Sequence, residues 1–283
     1  MMKTLGLFLG LASANNYFPA FGYKGIYYSA ATHCSVASLQ TWTCGQACQL
    51  QPGVASVTPI SNAAQGTFGF VAYNQKDREI IVAFRGSQNV ENWVTNLDFV
   101  KTNYPAAKGA EVHEGFYKAY QGVQTQILQA VRNALALDRQ AAFFVTGHSL
   151  GGALATLVAL DLKSTFPTAK MTMYTYGCPR VGNQAFSDYV FSLLGSGQYQ
   201  RVTHHNDVVP HVPPEFLGFN HPGDEVWYKN AGDDLFYQVC LGYQGKKEDS
   251  RCSDSVLATG LDAHKRYLGF DLGGMCSTNQ TKN

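Results

Sequence analysis

Charge is scarce in this chain. Only 14% of its 283 residues are Asp, Glu, Lys or Arg, and the net charge is +1. No run of like charges exceeds a few residues, so the concentrated basic surface that nucleic acid requires is absent. No internal repeat, low-complexity tract or Pro/Gly/Ser-rich linker divides the chain, and one domain is the simplest organisation. No stretch approaches the roughly 18 consecutive apolar residues of a membrane span, so no transmembrane segment is expected. What is present is a globular composition. Apolar residues make up 45% of the chain, enough for one sizeable core.

The first residues read as a secretory signal over 1–14. Lys3 supplies the positive start, Leu5 to Leu11 the short apolar stretch, and Ala12-Ser13-Ala14 the small-residue cleavage site. The alternative, a buried N-terminal helix, is disfavoured by the shortness of that stretch. A secreted, monomeric catalytic domain over 15–283 is expected. Seven cysteines suit an oxidising compartment. Six of them can pair in 15 ways, so the connectivity is not fixed by counting. Spacing favours Cys44–Cys48 and Cys240–Cys252 as local loops, with Cys34 then closing on Cys276 and Cys178 left as a small buried hydrophobe. The sequon at Asn279 is a candidate for glycosylation.

Helix-like apolar spacing covers Tyr27 to Leu39 and His113 to Leu137. Strand-length apolar runs lie at Thr67–Tyr73, Glu79–Phe84, Ala141–Thr146, Met171–Tyr176 and Tyr199–His204, with further strands at Val226–Lys229 and Leu235–Cys240. From Ala141 onward strands alternate with helical stretches, Ala153–Lys163 and Gln184–Leu194. That order predicts an α/β fold of parallel strands with crossover helices.

Between the strand ending at Thr146 and the helix beginning at Leu150 lies Gly147-His148-Ser149-Leu150-Gly151. A nucleophile elbow needs this arrangement, because the turn is so sharp that only glycine at both ends avoids collision. The pentapeptide alone arises by chance in roughly one chain in six of this size. Its strand–turn–helix context, with Gly152, Ala153 and Ala155 behind it, makes Ser149 a nucleophile candidate. His148 is tempting as its base. Adjacent residues at a tight turn point apart, however, so His148 reads as an elbow residue that packs or hydrogen-bonds locally.

On such folds the acid follows the serine and the histidine comes last. Asp207 follows the strand Tyr199–His204, at the carboxyl end where catalytic groups of open α/β sheets sit. Three histidines lie beyond Pro210. His211 is too near Asp207 in sequence and His221 looks like an ordinary turn residue, which favours His264. Leu150 N–H is one candidate oxyanion donor and Ser87, in the turn Arg85-Gly86-Ser87, is the other. Directly after it, Val90, Trp93, Val94 and Leu97 recur at i, i+3, i+4 and i+7. That is an amphipathic helix, either a core helix or a lid that meets a lipid–water interface. No metal or organic cofactor is needed by this chemistry.

With these residues laid out, the chain resembles the class 3 lipases, especially the secreted fungal triacylglycerol lipases and their feruloyl esterase relatives. The matching pieces are Phe84-Arg85-Gly86-Ser87, Glu91-Asn92-Trp93, His113-Glu114-Gly115-Phe116, Thr146 to Leu154, Pro179 to Asn183 and Asn206 to Pro210. The resemblance implies an α/β-hydrolase fold, a mostly parallel central sheet flanked by helices with a short lid helix. It also implies a triad of Ser149, Asp207 and His264, an oxyanion hole at Ser87 and Leu150, a lid around Gln88–Val94 and the Cys34–Cys276 closure. Two features depart from the lipase pattern: Cys178 stands where the family has a small residue, and the Cys240–Cys252 region is closer to the feruloyl esterases. The expected activity is triacylglycerol hydrolysis. A feruloyl or other carbohydrate esterase, a phospholipase A1 and a catalytically silent lipid-binding homologue are the alternatives.

Overall fold

Runs rich in Ile, Val, Phe and Tyr, too short for helices and too apolar for a sheet edge, have to be buried on both faces. The computed structural model, which describes residues 17–195, 197–232, 236–241, 248–257 and 259–277, builds such runs into the middle of one eight-stranded sheet. Its strands are β1 (Val54–Asn62), β2 (Thr67–Asn74), β3 (Glu79–Phe84), β4 (Ala142–His148), β5 (Met171–Tyr176), β6 (Tyr199–His204), β7 (Asp224–Tyr228) and β8 (Tyr237–Cys240). They lie side by side in chain order. β3 to β7 are parallel, while β1, β2 and β8 add antiparallel edges. β2, β6 and β7 are buried along their whole length. The signal expected over 1–14 and the sequon at Asn279 lie outside the described residues.

Helices cover both faces. Helix α1 (Pro19–Ala31) packs Ile26, Tyr28 and Ala30 on one face, against Phe70, Phe144 and Tyr174. On the other lie α3 (Glu114–Gln121), α4 (Gln124–Leu137), α5 (Leu150–Thr165) and α6 (Gln184–Leu194), around Val82, Phe143 and Val145. The short helix α2 (Val90–Thr95) precedes them and carries no buried residue. α5 and α6 are the crossovers joining β4 to β5 and β5 to β6. This is the α/β-hydrolase architecture expected.

Some boundaries moved. The helix expected over Tyr27–Leu39 begins earlier, at Pro19, and stops at Ala31, where Thr32 Oγ1 donates back to Ser29 O. A second short helix, Val36–Gln40, restarts after Ser35, whose side chain caps it by accepting from Ser38 N–H. The stretch His113–Leu137 is two helices because Val123 leaves helical geometry (φ −125°, ψ −5°). That break lets Ile127, Val131 and Ala134 turn onto the sheet. Edge strand β1 was not anticipated, and Leu235, expected to open the last strand, lies outside the described residues.

All three expected disulfides are present, Cys34–Cys276, Cys44–Cys48 and Cys240–Cys252, and Cys178 is free and buried. Cys34–Cys276 spans 242 residues and Cys44–Cys48 only 4. Loop-closure entropy then assigns about 5 kcal/mol to the first and about 2 kcal/mol to the second. Denaturant melts of the paired Cys→Ala variants should rank in that order, and the reverse ranking would contradict an entropic role for the long closure.

Candidate active site

Because β3 to β6 are parallel, their carboxyl ends share one edge of the sheet, where the chain turns sharply enough to present side chains. At the end of β4 stands Ser149, held at φ 58° and ψ −131°. A non-glycine residue there is strained, and the surroundings enforce it. A side chain on Gly147 would strike the backbone of Gly151, and one on Gly151 would strike Phe84 O. Ser149 N–H donates to Tyr176 O at 2.9 Å, tying the turn to β5. Leu150 opens α5, so its N–H has no carbonyl a turn earlier to bond.

The ends of the neighbouring strands converge on this serine. Beyond β3, Gly86 lies against it, since a Cβ on Gly86 would sit 2.8 Å from Ser149 Cβ. Ser87 follows, with its Oγ accepting from Asn89 N–H at 3.3 Å. Beyond β6, Asp207 Oδ2 accepts from His264 Nδ1 at 2.8 Å, and both residues are buried. Asp207 Oδ1 accepts from Val209 N–H at 2.8 Å, and Tyr267 donates its hydroxyl to Oδ2 at 2.5 Å. Three donors therefore hold this carboxylate. Beyond β5, Gly177 (φ +54°) forms the floor: a Cβ there would lie 2.7 Å from Asp207 Oδ2, 2.8 Å from Tyr267 Oη and 2.9 Å from His264 Cε1. Ser149 Oγ and His264 Nε2 are both buried and neither makes a hydrogen bond among the described residues.

His264 sits in a 3-10 turn, Ala263–Lys265. Neither His211 nor His221 is among the donors to this carboxylate. His221 is no ordinary turn residue: its Nε2 donates to Pro210 O at 2.8 Å and its N–H to Glu248 at 3.1 Å. Beside it Arg180 forms a two-pronged pair with Glu248 at 2.6 and 3.0 Å, and donates to the carbonyls of His211 and Pro213. That buried ion pair fastens the loop following Asp207. Neither Tyr267 nor Arg180 was given a role from the sequence: Tyr267 is marked only by its nearness to His264, and Arg180 only by lying in the matching piece Pro179 to Asn183.

Beside the site lies α2, whose first turn lines a cavity together with His264. Its N-terminus is capped by Asn89, which accepts from Asn92 N–H. Trp93 stacks on Phe116 with centroids 6.0 Å apart, and Phe116 stacks on His113 at 4.0 Å. Trp93 and Leu97 pack against the core while Val90 and Val94 are partly buried. His113 Nε2 also donates to Asp98 O, just beyond the helix, and Glu91 faces Lys265 at 3.5 Å. Behind α2 is a cavity of about 640 Å³ whose walls include His33, Arg85, Ser87, Glu91 and His264. Among the described residues no cluster of side chains suits a metal.

Comparison with known proteins places the chain as a whole. The family model for Lipase (class 3) matches residues 81–217. The lipase of Rhizomucor miehei is 35% identical over 250 residues, 87% of this chain and 67% of that protein. Lipase II from Rhizopus niveus superimposes with a TM-score of 0.82 at 33% identity, covering 91% of this chain and 96% of that one. The chain belongs to the class 3 lipases. A secreted mono- and diacylglycerol lipase of Fusarium solani is 42% identical over 218 residues, 75% of this chain and 63% of that relative. This class 3 lipase therefore spans about two thirds of the length of those curated relatives.

Burial also sets the charge state of histidines around the lipase site. His33 is pushed down to about 4, first by burial and then by the Arg85 guanidinium. An unfolded histidine titrates near 6.5, so between pH 6.5 and 4 the unfolded chain takes up the proton more readily. Stability contributed by neutral His33 is full above that window and declines as pH falls through it. Thermal melts from pH 7 to 4 should show a shallower acid decline for His33→Gln than for wild type; parallel curves would contradict the assignment.

Proposed function

We propose that this chain is a secreted serine lipase that hydrolyses glycerol esters through an acyl-enzyme on Ser149. The observation that carries the proposal is the Asp207–His264 hydrogen bond, 2.8 Å and fully buried, beside a strained elbow serine. His264 Nε2 takes the Ser149 proton as Oγ attacks the ester carbonyl, and returns it to the departing alcohol. Water then repeats the sequence to release the acid. Asp207 orients His264 and stabilises its imidazolium, while the N–H groups of Ser87 and Leu150 hold the oxyanion. No cofactor enters these steps.

α2 serves as the lid in this proposal. Its half-buried Val90, Trp93 and Val94, with Leu97 just beyond the helix end at Thr95, meet a lipid–water interface on opening, in exchange for contacts such as Trp93 on Phe116. Secretion is supported by three disulfides. A second reading narrows the substrate to partial glycerides, because the Fusarium solani relative named for mono- and diacylglycerols reaches 42% identity. Rates on trioleoylglycerol, dioleoylglycerol, phosphatidylcholine and methyl ferulate test the choice. A glyceride should be preferred, with rate rising abruptly once droplets form. Preference for the ferulate or the phospholipid, or smooth saturation through the droplet threshold, would overturn the corresponding part.

A further inference from the structure

His148 is buried, titratable and unused by the reaction just described. It was expected to pack or hydrogen-bond locally, yet its partner is distant in sequence. His148 Nε2 lies 2.9 Å from the carbonyl oxygen of His264, 116 residues away. A carbonyl only accepts, so the His148 proton is on Nε2 and Nδ1 carries the lone pair. Nδ1 is buried and, among the described residues, has no hydrogen-bond partner; it lies on the side of Gly86, where an added Cβ would be 3.4 Å from it. The ring is therefore wedged between the oxyanion turn and the catalytic histidine, whose own ring is 4.4 Å away between centroids.

His264 needs such an anchor. It occupies a 3-10 turn of three residues, and the strands beyond it, Arg266–Tyr267 and Phe270–Asp271, are two residues each. Its main-chain hydrogen bonds are few and local: His264 N–H to Leu261 O at 3.1 Å, Lys265 N–H to Asp262 O at 3.3 Å and Leu272 N–H to Lys265 O at 3.4 Å. Its outward carbonyls are taken by histidines at strand ends. His204, closing β6, reaches Ala263 O at 2.9 Å, and His148, closing β4, takes His264 O. β6 leads to Asp207 and β4 to Ser149, so each strand that delivers a triad partner also grips the turn carrying the base.

We propose that His148 is a positioning residue for His264, its Nε2–H binding the His264 carbonyl so that base and nucleophile hang from one elbow. The proposal rests on the triad reading given above. The groups facing His148 are His264, His33 (6.4 Å between centroids), Tyr267 (5.7 Å) and, across the cavity, Arg85. Burial, then His264 and His33, hold His148 well below its ordinary value. It thus stays neutral and adds no repulsion when His264 becomes an imidazolium.

Three variants separate positioning from mere packing. Gln places an amide N–H near the reach of Nε2, Asn falls short of it, and Leu fills the space without a donor. Misplacing a general base costs roughly 10–100-fold, so His148→Leu and His148→Asn should lose that much in kcat, with KM changed less than about twofold. Their acid limb should move to lower pH, because His264 held less well against Asp207 is a weaker base. His148→Gln should recover most of both. The same variants on Ser149→Ala give a readout without turnover: the low-field Nδ1–H proton resonance of His264 should weaken or shift with Asn and Leu and persist with Gln. If the Leu variant does not fold, the Gln–Asn pair decides alone. Equal loss in Gln and Asn, or an unmoved acid limb and resonance, would overturn the proposal. Activity retained by Ser149→Ala itself would instead overturn the triad reading, leaving the resonance to judge His148.

Discussion

The sharp turn between β4 and α5 is the constraint on which the rest of the site depends. Ser149 holds a backbone conformation that non-glycine residues avoid (φ 58°, ψ −131°), at a cost of about 1–3 kcal/mol. It persists because β4 is parallel to buried strands on both sides and cannot swing away, and because two bare glycines let α5 close on Phe84 and on the strand itself. The turn lifts the serine above the sheet edge. It also points His148 toward the C-terminal segment, so one local geometry addresses two distant parts of the chain.

Everything else at the site is assembled against that edge. Asp207 is held by Val209 N–H, by Tyr267 and by His264, and Gly177 leaves room for all of them. Arg180 and Glu248, a buried pair that stays favourable only while complete, fasten the loop that follows Asp207. The long disulfide ties Cys276, twelve residues beyond His264, to Cys34 beside α1. α2 is fastened least: it buries no residue completely, and its Glu91–Lys265 contact joins two exposed side chains. Such pairs contribute little, which suits the lid role proposed for it.

Local physics was legible in the sequence, and distant pairing was not. Strands β3 to β6 announced themselves by short apolar runs, and the elbow by glycines at fixed offsets from a serine. Chain order and strand ends pointed to Asp207, position along the chain favoured His264 over two other histidines, and the family resemblance implied both. β1 was missed because Pro59 and alternating polar residues make it resemble a loop until β2 pairs with it. Tyr267 and Arg180 were given no role because their roles exist only once segments 60 and 68 positions apart meet. His148 was placed at the elbow, but its partner lies 116 residues away, beyond what spacing can reveal. His221 was misjudged for the same reason: the Glu248 and Pro210 contacts that bury it are tertiary.

The elbow, with Asp207 and His264 behind it, should make Ser149 the one activated serine. Fluorophosphonate reacts with a serine only where a base takes its proton and donors receive the oxyanion. Intact-mass and peptide analysis of the labelled protein measures this directly. A single adduct is expected on Ser149, absent in Ser149→Ala and formed far more slowly in Asp207→Asn. An adduct on any other residue, or equal labelling of wild type and Ser149→Ala, would contradict it.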